Sequence, residues 1–225
     1  MHTSVSPASL PPSPSTLTLA VPKGRVLQQL VPVLERLGVD TSDVLADDRR
    51  LVRHDLKTDM RFLLLKPDDV PTYVEYGAAD LGVVGRDVLL EREYDLYQPL
   101  DLGIGKCRLA VAGIAGQHAP RERHLRIATK FPRIAERHFA SRGIPVEIIF
   151  VQGSVEIAPL VGLADQIVDI VESGETLRQN GLAVFETIAE VSSVIVVNRL
   201  AYKLLDVRVK EVLHAFETVL ARPTS

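Results

Sequence analysis

The 225-residue sequence has a single cysteine, Cys107. One thiol cannot close an internal disulfide or build a cysteine-rich zinc site, which fits a reducing compartment. Excess positive charge is also missing: 26 Lys and Arg against 29 Asp and Glu leave a net charge of −3. That balance provides no electrostatic footprint for DNA or RNA, so no nucleic-acid partner is expected. No apolar run approaches the length that spans a bilayer, and no membrane partner is expected either. The first sixteen residues, MHTSVSPASLPPSPST, hold no Lys, Arg, Asp or Glu. They lack the basic start and apolar centre of a signal peptide and read as a disordered tail, which points to a cytoplasmic protein. GxSxG, HExxH and GxxxxGK[ST] are absent, which sets aside three common catalytic designs. The six histidines, His2, His54, His118, His124, His138 and His214, are scattered singly, a pattern of surface or interface residues rather than metal ligands. Cys107 lies between Lys106 and Arg108, which could lower its pKa. Small apolar burial is the commoner role of such a residue.

What is present is ordinary globular material, 46% hydrophobic and 24% charged, enough for one large or two small domains. Residues 17–22, LTLAVP, read as a strand that stops at Pro22 and feeds Lys23, Gly24 and Arg25. Apolar residues at helical spacing follow from Val26 to Leu37. Lys23 and Arg25 could be a solvated helix end, but cations are disfavoured at a helix N-terminus, and an anion nearby would relieve that cost. Strands are expected over 51–54, 61–66 and 80–85, and a helix over 68–77 that Pro71 starts. Arg86 and Asp87 stand at the C-terminal end of DLGVVG, where ligands collect in open α/β sheets. A second series reads strand 125–129, helix 132–143, strand 146–152, helix 155–163 and strand 166–171. This alternation predicts parallel sheets with helices on their faces. Residues 60–85 align without gaps on 145–170, with RFLLLK over VEIIFV and Asp80 over Asp165. The repeat predicts two similar α/β lobes joined by two crossing strands. Residues 1–16 form the tail, 17–104 with 195–225 lobe one, and 105–194 lobe two. A helical segment over 200–220 returns to lobe one, and the cleft is the natural ligand site.

The most distinctive stretch is Val168–Gly181, VDIVESGETLRQNG. A β-branched run delivers the chain into a turn and a short helix, with Ser173 or Thr176 as N-cap candidates and Gly181 as the stop. Gly174 permits positive φ and close approach of a ligand, and exposed amides attract a phosphate. Asp169 ahead of the turn would repel phosphate but accept hydrogen bonds from hydroxyls, so the pair suits a sugar phosphate. An ordinary strand-to-helix turn is the alternative.

Five segments in order, LAVPKGRVL, DVPTYVEYGAADLGVVGRDVLLE, LGIGKCRLAV, GSVEIAPLVGLADQIVDIVESGETLRQNGL and AEVSSVIVVN, resemble the ATP phosphoribosyltransferase family from about Leu17 to about Leu205. The resemblance implies a two-lobed, type II periplasmic-binding-protein-like α/β fold. It also implies transfer of phosphoribosyl from phosphoribosyl pyrophosphate to N1 of ATP, with Mg2+ bound by the substrate phosphates and pyrophosphate released. A chain of this length is similar to the short form. Short forms pair with a histidyl-tRNA-synthetase-like regulatory subunit in a hetero-octamer, and a homodimer is expected of the chain itself. By the same resemblance the amides and hydroxyls of Ser173, Gly174, Glu175 and Thr176 hold the ribose 5-phosphate, Leu177 is a further substrate-binding candidate, and Asp169 with Glu172 faces the ribose hydroxyls. Gly85, Arg86 and Asp87 line the nucleotide side, and Lys66 is a further substrate-binding candidate. Lys23, Arg25 and Arg49 are candidates for the leaving pyrophosphate, as positive charge is needed where the leaving group becomes negative. Two departures stand out. Glu175 puts an acid inside a phosphate loop and must turn its side chain away, or the loop binds more weakly. Lys66 stands where arginine is common and forfeits bidentate geometry. A non-catalytic two-lobed binding module and a different phosphoribosyltransferase are the rival readings.

Overall fold

The computed structural model describes residues 16–46, 48–117 and 124–222. The expected tail (Thr16 apart), His2 and His118 lie outside the described residues. The chain begins with β1 (Leu17–Pro22), α1 (Arg25–Arg36), α2 (Thr41–Val44), β2 (Val52–Asp55) and β3 (Met60–Leu65). A 3-10 turn at Pro67–Asp69 leads into α3 (Val70–Glu75), followed by β4 (Leu81–Gly85), α4 (Arg86–Glu91) and β5 (Leu96–Asp101). Next are β6 (Cys107–Ile114), β7 (Leu125–Thr129), α5 (Pro132–Ala140), β8 (Val146–Phe150), α6 (Ile157–Leu160) and β9 (Gln166–Val171). The last elements are α7 (Glu175–Gln179), β10 (Leu182–Val191), β11 (Ser193–Asn198), α8 (Arg199–Leu204) and α9 (Asp206–Ala221).

The chain divides into two units. The first gathers the chain up to Leu89, Glu93–Gly105 and the chain from Ser192; the second is Leu90–Arg92 with Lys106–Val191. Unit one holds a six-stranded sheet ordered β2-β3-β1-β4-β11-β5, and unit two a five-stranded sheet ordered β10-β6-β9-β7-β8. The β1, β3 and β4 strands run parallel, as do β7, β8 and β9. The sheets are not parallel throughout as the alternation predicts. The β11 strand is antiparallel to both β4 and β5, β6 is antiparallel to β9 and β10, and β2 is antiparallel to β3. Strand–helix periodicity reports only the βαβ part of a sheet; β6 and β11, the first strands after each crossing between units, enter in the opposite sense, and β2 folds back on β3 as a hairpin.

Central strands are buried on both faces, which explains the continuous apolar runs of β4 and of β11, all six of whose residues are buried. The α1 helix buries Leu27, Leu30, Val31, Val33 and Leu34, mostly in a cluster with Leu19, Phe62, Val209 and Phe216. In unit two, α5 covers one face through Ala135 and Phe139, while Ala158 and Leu177 from α6 and α7 pack with Ala128 and Ile167. The helix expected over 155–163 is four residues long, and that over 200–220 is split at Leu205. Among the described residues no helix is long and apolar enough to cross a membrane.

The internal repeat extends to individual hydrogen bonds. In unit one the Thr18 N–H donates to the Asp80 carboxylate at 2.8 Å, and the Asp80 N–H donates to the Thr18 carbonyl at 2.9 Å. In unit two the Arg126 N–H donates to Asp165 at 2.9 Å, and the Asp165 N–H donates to the Arg126 carbonyl at 2.9 Å. Each aspartate thus clamps the start of a parallel strand to its neighbour.

Candidate active site

In unit one the sequence candidates gather on a single sheet edge. The parallel strands β3, β1 and β4 are neighbours, and their C-terminal ends release Lys66, Lys23 with Gly24 and Arg25, and Gly85 with Arg86 and Asp87. Because β2 runs antiparallel to β3, its start lies at that same edge, where the Leu64 N–H donates to the Leu51 carbonyl at 2.8 Å. Arg49 therefore joins them. Lys23, Arg25, Arg49 and Lys66 are all exposed.

The basic turn has local causes. Gly24 is the residue before α1, with φ 90° and ψ −143°, and neither a side-chain cap nor an acidic residue occupies the first turn. The amides of that turn, with Lys23 and Arg25 flanking them, form a positive helix start with no acidic residue in its first turn. Arg49 is held by the residues around it. The buried Arg53 side chain donates to Asp48 at 3.0 and 2.7 Å and to the Ala46 carbonyl at 3.1 Å. Arg53, then the Arg50 N–H and guanidinium, hold the Asp48 carboxyl far below the usual carboxylate range. A Cβ on Gly85 would meet the Asp87 carboxylate, which would have to swing aside to admit it. The buried Asp87 carboxylate folds back over the end of β4. The Arg86 guanidinium donates to Asp101 at 3.1 Å.

In unit two the loop leaves β9, a central strand of its sheet. Asp169 is half-buried on β9, and Glu172, Ser173, Glu175 and Thr176 are exposed. The residue preceding α7 is Gly174, in the left-handed region at φ 74° and ψ 7°. Neither Ser173 nor Thr176 is the N-cap. The Ser173 hydroxyl accepts the Glu175 N–H at 3.2 Å, a local turn two residues long, so the left-handed step falls on the glycine. The Glu175 carboxylate turns along the helix, paired with Arg178 and accepting from Gln179 Nε2 at 2.9 Å. The Leu177 side chain is buried among Ala158 and Val171, so what this residue offers a ligand is its backbone. Gly181 takes φ 70° past the helix end, as a stop requires.

Sequence reasoning missed Lys130. It follows β7 as Lys23 follows β1, and the signal was the repeat itself carried one strand earlier, LTLAVPK against LRIATK. It also missed Asp101 and Ser192, whose hydroxyl donates to Asp101 at 2.7 and 2.8 Å. Of the histidines, His138 is not at the surface; its ring is buried against Glu186 at 3.2 Å. Burial, then the Arg142 charge, holds its pKa below the ordinary value.

The family model for HisG, ATP phosphoribosyltransferase, matches residues 66–218. An ATP phosphoribosyltransferase of Sorangium cellulosum is 61% identical over 188 residues, 84% of this chain and 88% of the relative. That of Citrifermentans bemidjiense is 48% identical over 208 residues, 91% of this chain and 98% of the relative. Among solved structures, the ATP phosphoribosyl transferase (HisG:HisZ) complex from Thermotoga maritima superposes with a TM-score of 0.79 at 38% identity, covering 91% of this chain and 98% of that one. The periplasmic aliphatic sulphonate binding protein SsuA from Escherichia coli has a TM-score of 0.60 at 14% identity, covering 93% of this chain and 70% of its own, a likeness of fold alone. The fold is therefore the two-lobed, type II periplasmic-binding-protein-like α/β architecture. With the family model spanning both units and close relatives aligned along nearly their whole lengths, the chain belongs to the ATP phosphoribosyltransferase family.

Proposed function

We propose that the chain transfers the phosphoribosyl group of phosphoribosyl pyrophosphate to N1 of ATP and releases pyrophosphate, the first step of histidine biosynthesis. The observation that carries this reading is the β9–Gly174–α7 junction in a chain 61% identical to an ATP phosphoribosyltransferase. The ribose 5-phosphate lies against the backbone of Ser173–Leu177 and the hydroxyls of Ser173 and Thr176. Asp169 and Glu172 accept from the ribose hydroxyls. Departure of pyrophosphate leaves an oxocarbenium-like anomeric carbon, which the adenine nitrogen attacks without a protein nucleophile. Lys23, Arg25 and Arg49 hold the leaving group as its charge grows, from positions already fixed by α1 and the Asp48–Arg53 pair. Gly85, Arg86, Asp87 and Lys66 face the nucleotide.

Among the described residues no three His, Cys, Asp or Glu form a ready metal cage. Oxygen-rich phosphates are the natural ligands of Mg2+, so the ion enters with the substrates, and the half-buried Asp169 and exposed Glu172 carboxylates are the protein oxygens that would face it. When bound, it neutralises phosphate charge. The solved Thermotoga relative is a HisG:HisZ complex, which supports a regulatory partner of the histidyl-tRNA-synthetase kind. We take the chain alone to be a homodimer, and with that partner part of a cytoplasmic hetero-octamer. The test mixes the chain with ATP, phosphoribosyl pyrophosphate and Mg2+, with and without the partner, and follows the ultraviolet change of the adenine product. Turnover is expected with the partner; none under either condition overturns the reading in favour of a binding module.

A further inference from the structure

We propose that Asp101 is a positioning residue that sets the Arg86 guanidinium for the nucleotide. This rests on the reading of Arg86 as a nucleotide-facing residue. The Asp101 carboxylate ends β5 and is itself fixed from three directions. The Gly103 N–H donates to Oδ1 at 2.8 Å, the Ser192 hydroxyl donates to Oδ1 and Oδ2 at 2.8 and 2.7 Å, and Arg86 donates to Oδ2 at 3.1 Å. Gly103 takes φ 63°, the turn that brings its N–H back onto the carboxylate. Ser192 also holds the Arg86 backbone, its carbonyl accepting the Arg86 N–H at 2.9 Å. Backbone and guanidinium of Arg86 are thus tied to the same serine. Burial alone would raise the Asp101 carboxyl, but the Gly103, Ser192 and Arg86 hydrogen bonds outweigh it and leave the pKa lowered, so the carboxylate stays charged at neutral pH.

Two effects of Asp101 on an anionic nucleotide have opposite signs. Its charge repels phosphate, whereas its hydrogen bond pre-organises an arginine that would otherwise sample many rotamers. Only Nη2 of the guanidinium is committed to Asp101 in this way, and an arginine has five N–H donors in a fixed fork. The remaining fork can be offered in a fixed direction, so positioning dominates.

The experiment is steady-state kinetics of the full chain, assembled with its regulatory partner, for Asp101→Asn, Arg86→Ala, the double variant and Ser192→Ala. Asp101→Asn should raise KM for ATP about fivefold, the scale of a partly exposed charged pair, and leave KM for phosphoribosyl pyrophosphate unchanged. In the Arg86→Ala background it should add nothing, and Ser192→Ala should shift KM for ATP in the same direction by less. A lowered KM for ATP in Asp101→Asn, an equal rise for both substrates, or a full effect in the Arg86→Ala background overturns the proposal. A raised KM for ATP in Arg86→Ala with none in Asp101→Asn also overturns it, alone. An unchanged KM in Arg86→Ala removes the nucleotide role of Arg86, and the proposal with it.

Discussion

Glu175 would weaken a phosphate loop if its charge stayed at the helix start. Its carboxylate is instead engaged one turn on, with Arg178 and Gln179, which keeps the negative side chain away from the amides. Gly174 shows a different constraint. A Cβ there would meet Val171 Cγ1 at 3.7 Å, an ordinary contact, so the glycine is required by its left-handed backbone rather than by space. A β-branched residue held there is strained by about 1–2 kcal/mol and brings its side chain to the phosphate. Gly174→Val should therefore lose phosphoribosyl pyrophosphate binding in calorimetry while its circular dichroism keeps the parent form. Unchanged donor affinity would refute the loop's role. At this scale the sequence is legible where residue type and conformation coincide, as at Gly174 and Gly181. It is silent where a side chain's direction decides. Leu177 lies in the motif yet points into the core, and the pairing of Asp101 with Ser192 joins residues far apart in sequence.

The matched clamps of Asp80 and Asp165 make the repeat a property of elements. Burial raises the Asp80 carboxyl above its ordinary 3.8, by more than the Thr18 hydrogen bond and the Arg61 charge lower it. The folded chain then holds that proton more tightly than the unfolded one. The stability it contributes is full below pH 3.8 and is lost as pH rises through the folded value. Asp80→Asn keeps an oxygen for the Thr18 N–H and carries no charge. Relative to the parent it should gain stability as pH rises across that window, measured by urea unfolding from acid to neutral pH. A difference independent of pH would mean the carboxyl does not titrate in this way. The parallel βαβ elements were legible because alternating periods report them, and residues 125–129 and 166–171 match β7 and β9 end to end. Strand sense was not, since nothing in VSSVIVVN says that β11 enters between β4 and β5 from the opposite direction. The four-residue α6 was overextended because Val161 and Leu163 continue the apolar pattern although the chain has turned.

For the whole molecule, a ligand that binds the native state alone raises its stability by RT ln(1 + [L]/Kd), about 2.7 kcal/mol at a hundredfold excess over Kd. Phosphoribosyl pyrophosphate with Mg2+ should therefore raise the melting temperature of the parent by several degrees and leave that of Gly174→Val unmoved, as read by thermal denaturation. An equal rise in both would detach donor binding from the loop.

The interleaving of the two units also fixes an order of events during synthesis. Domains generally fold as the chain emerges, the N-terminal one first. Here that rule is reversed, because unit two is complete once Val191 has been made, whereas the sheet of unit one still lacks β11 between β4 and β5. Until those strand residues leave the ribosome, one edge of β4 stays open and β5 has no neighbour in the sheet, both exposed to wrong partners. The half of the protein that is translated first is the half that finishes folding last.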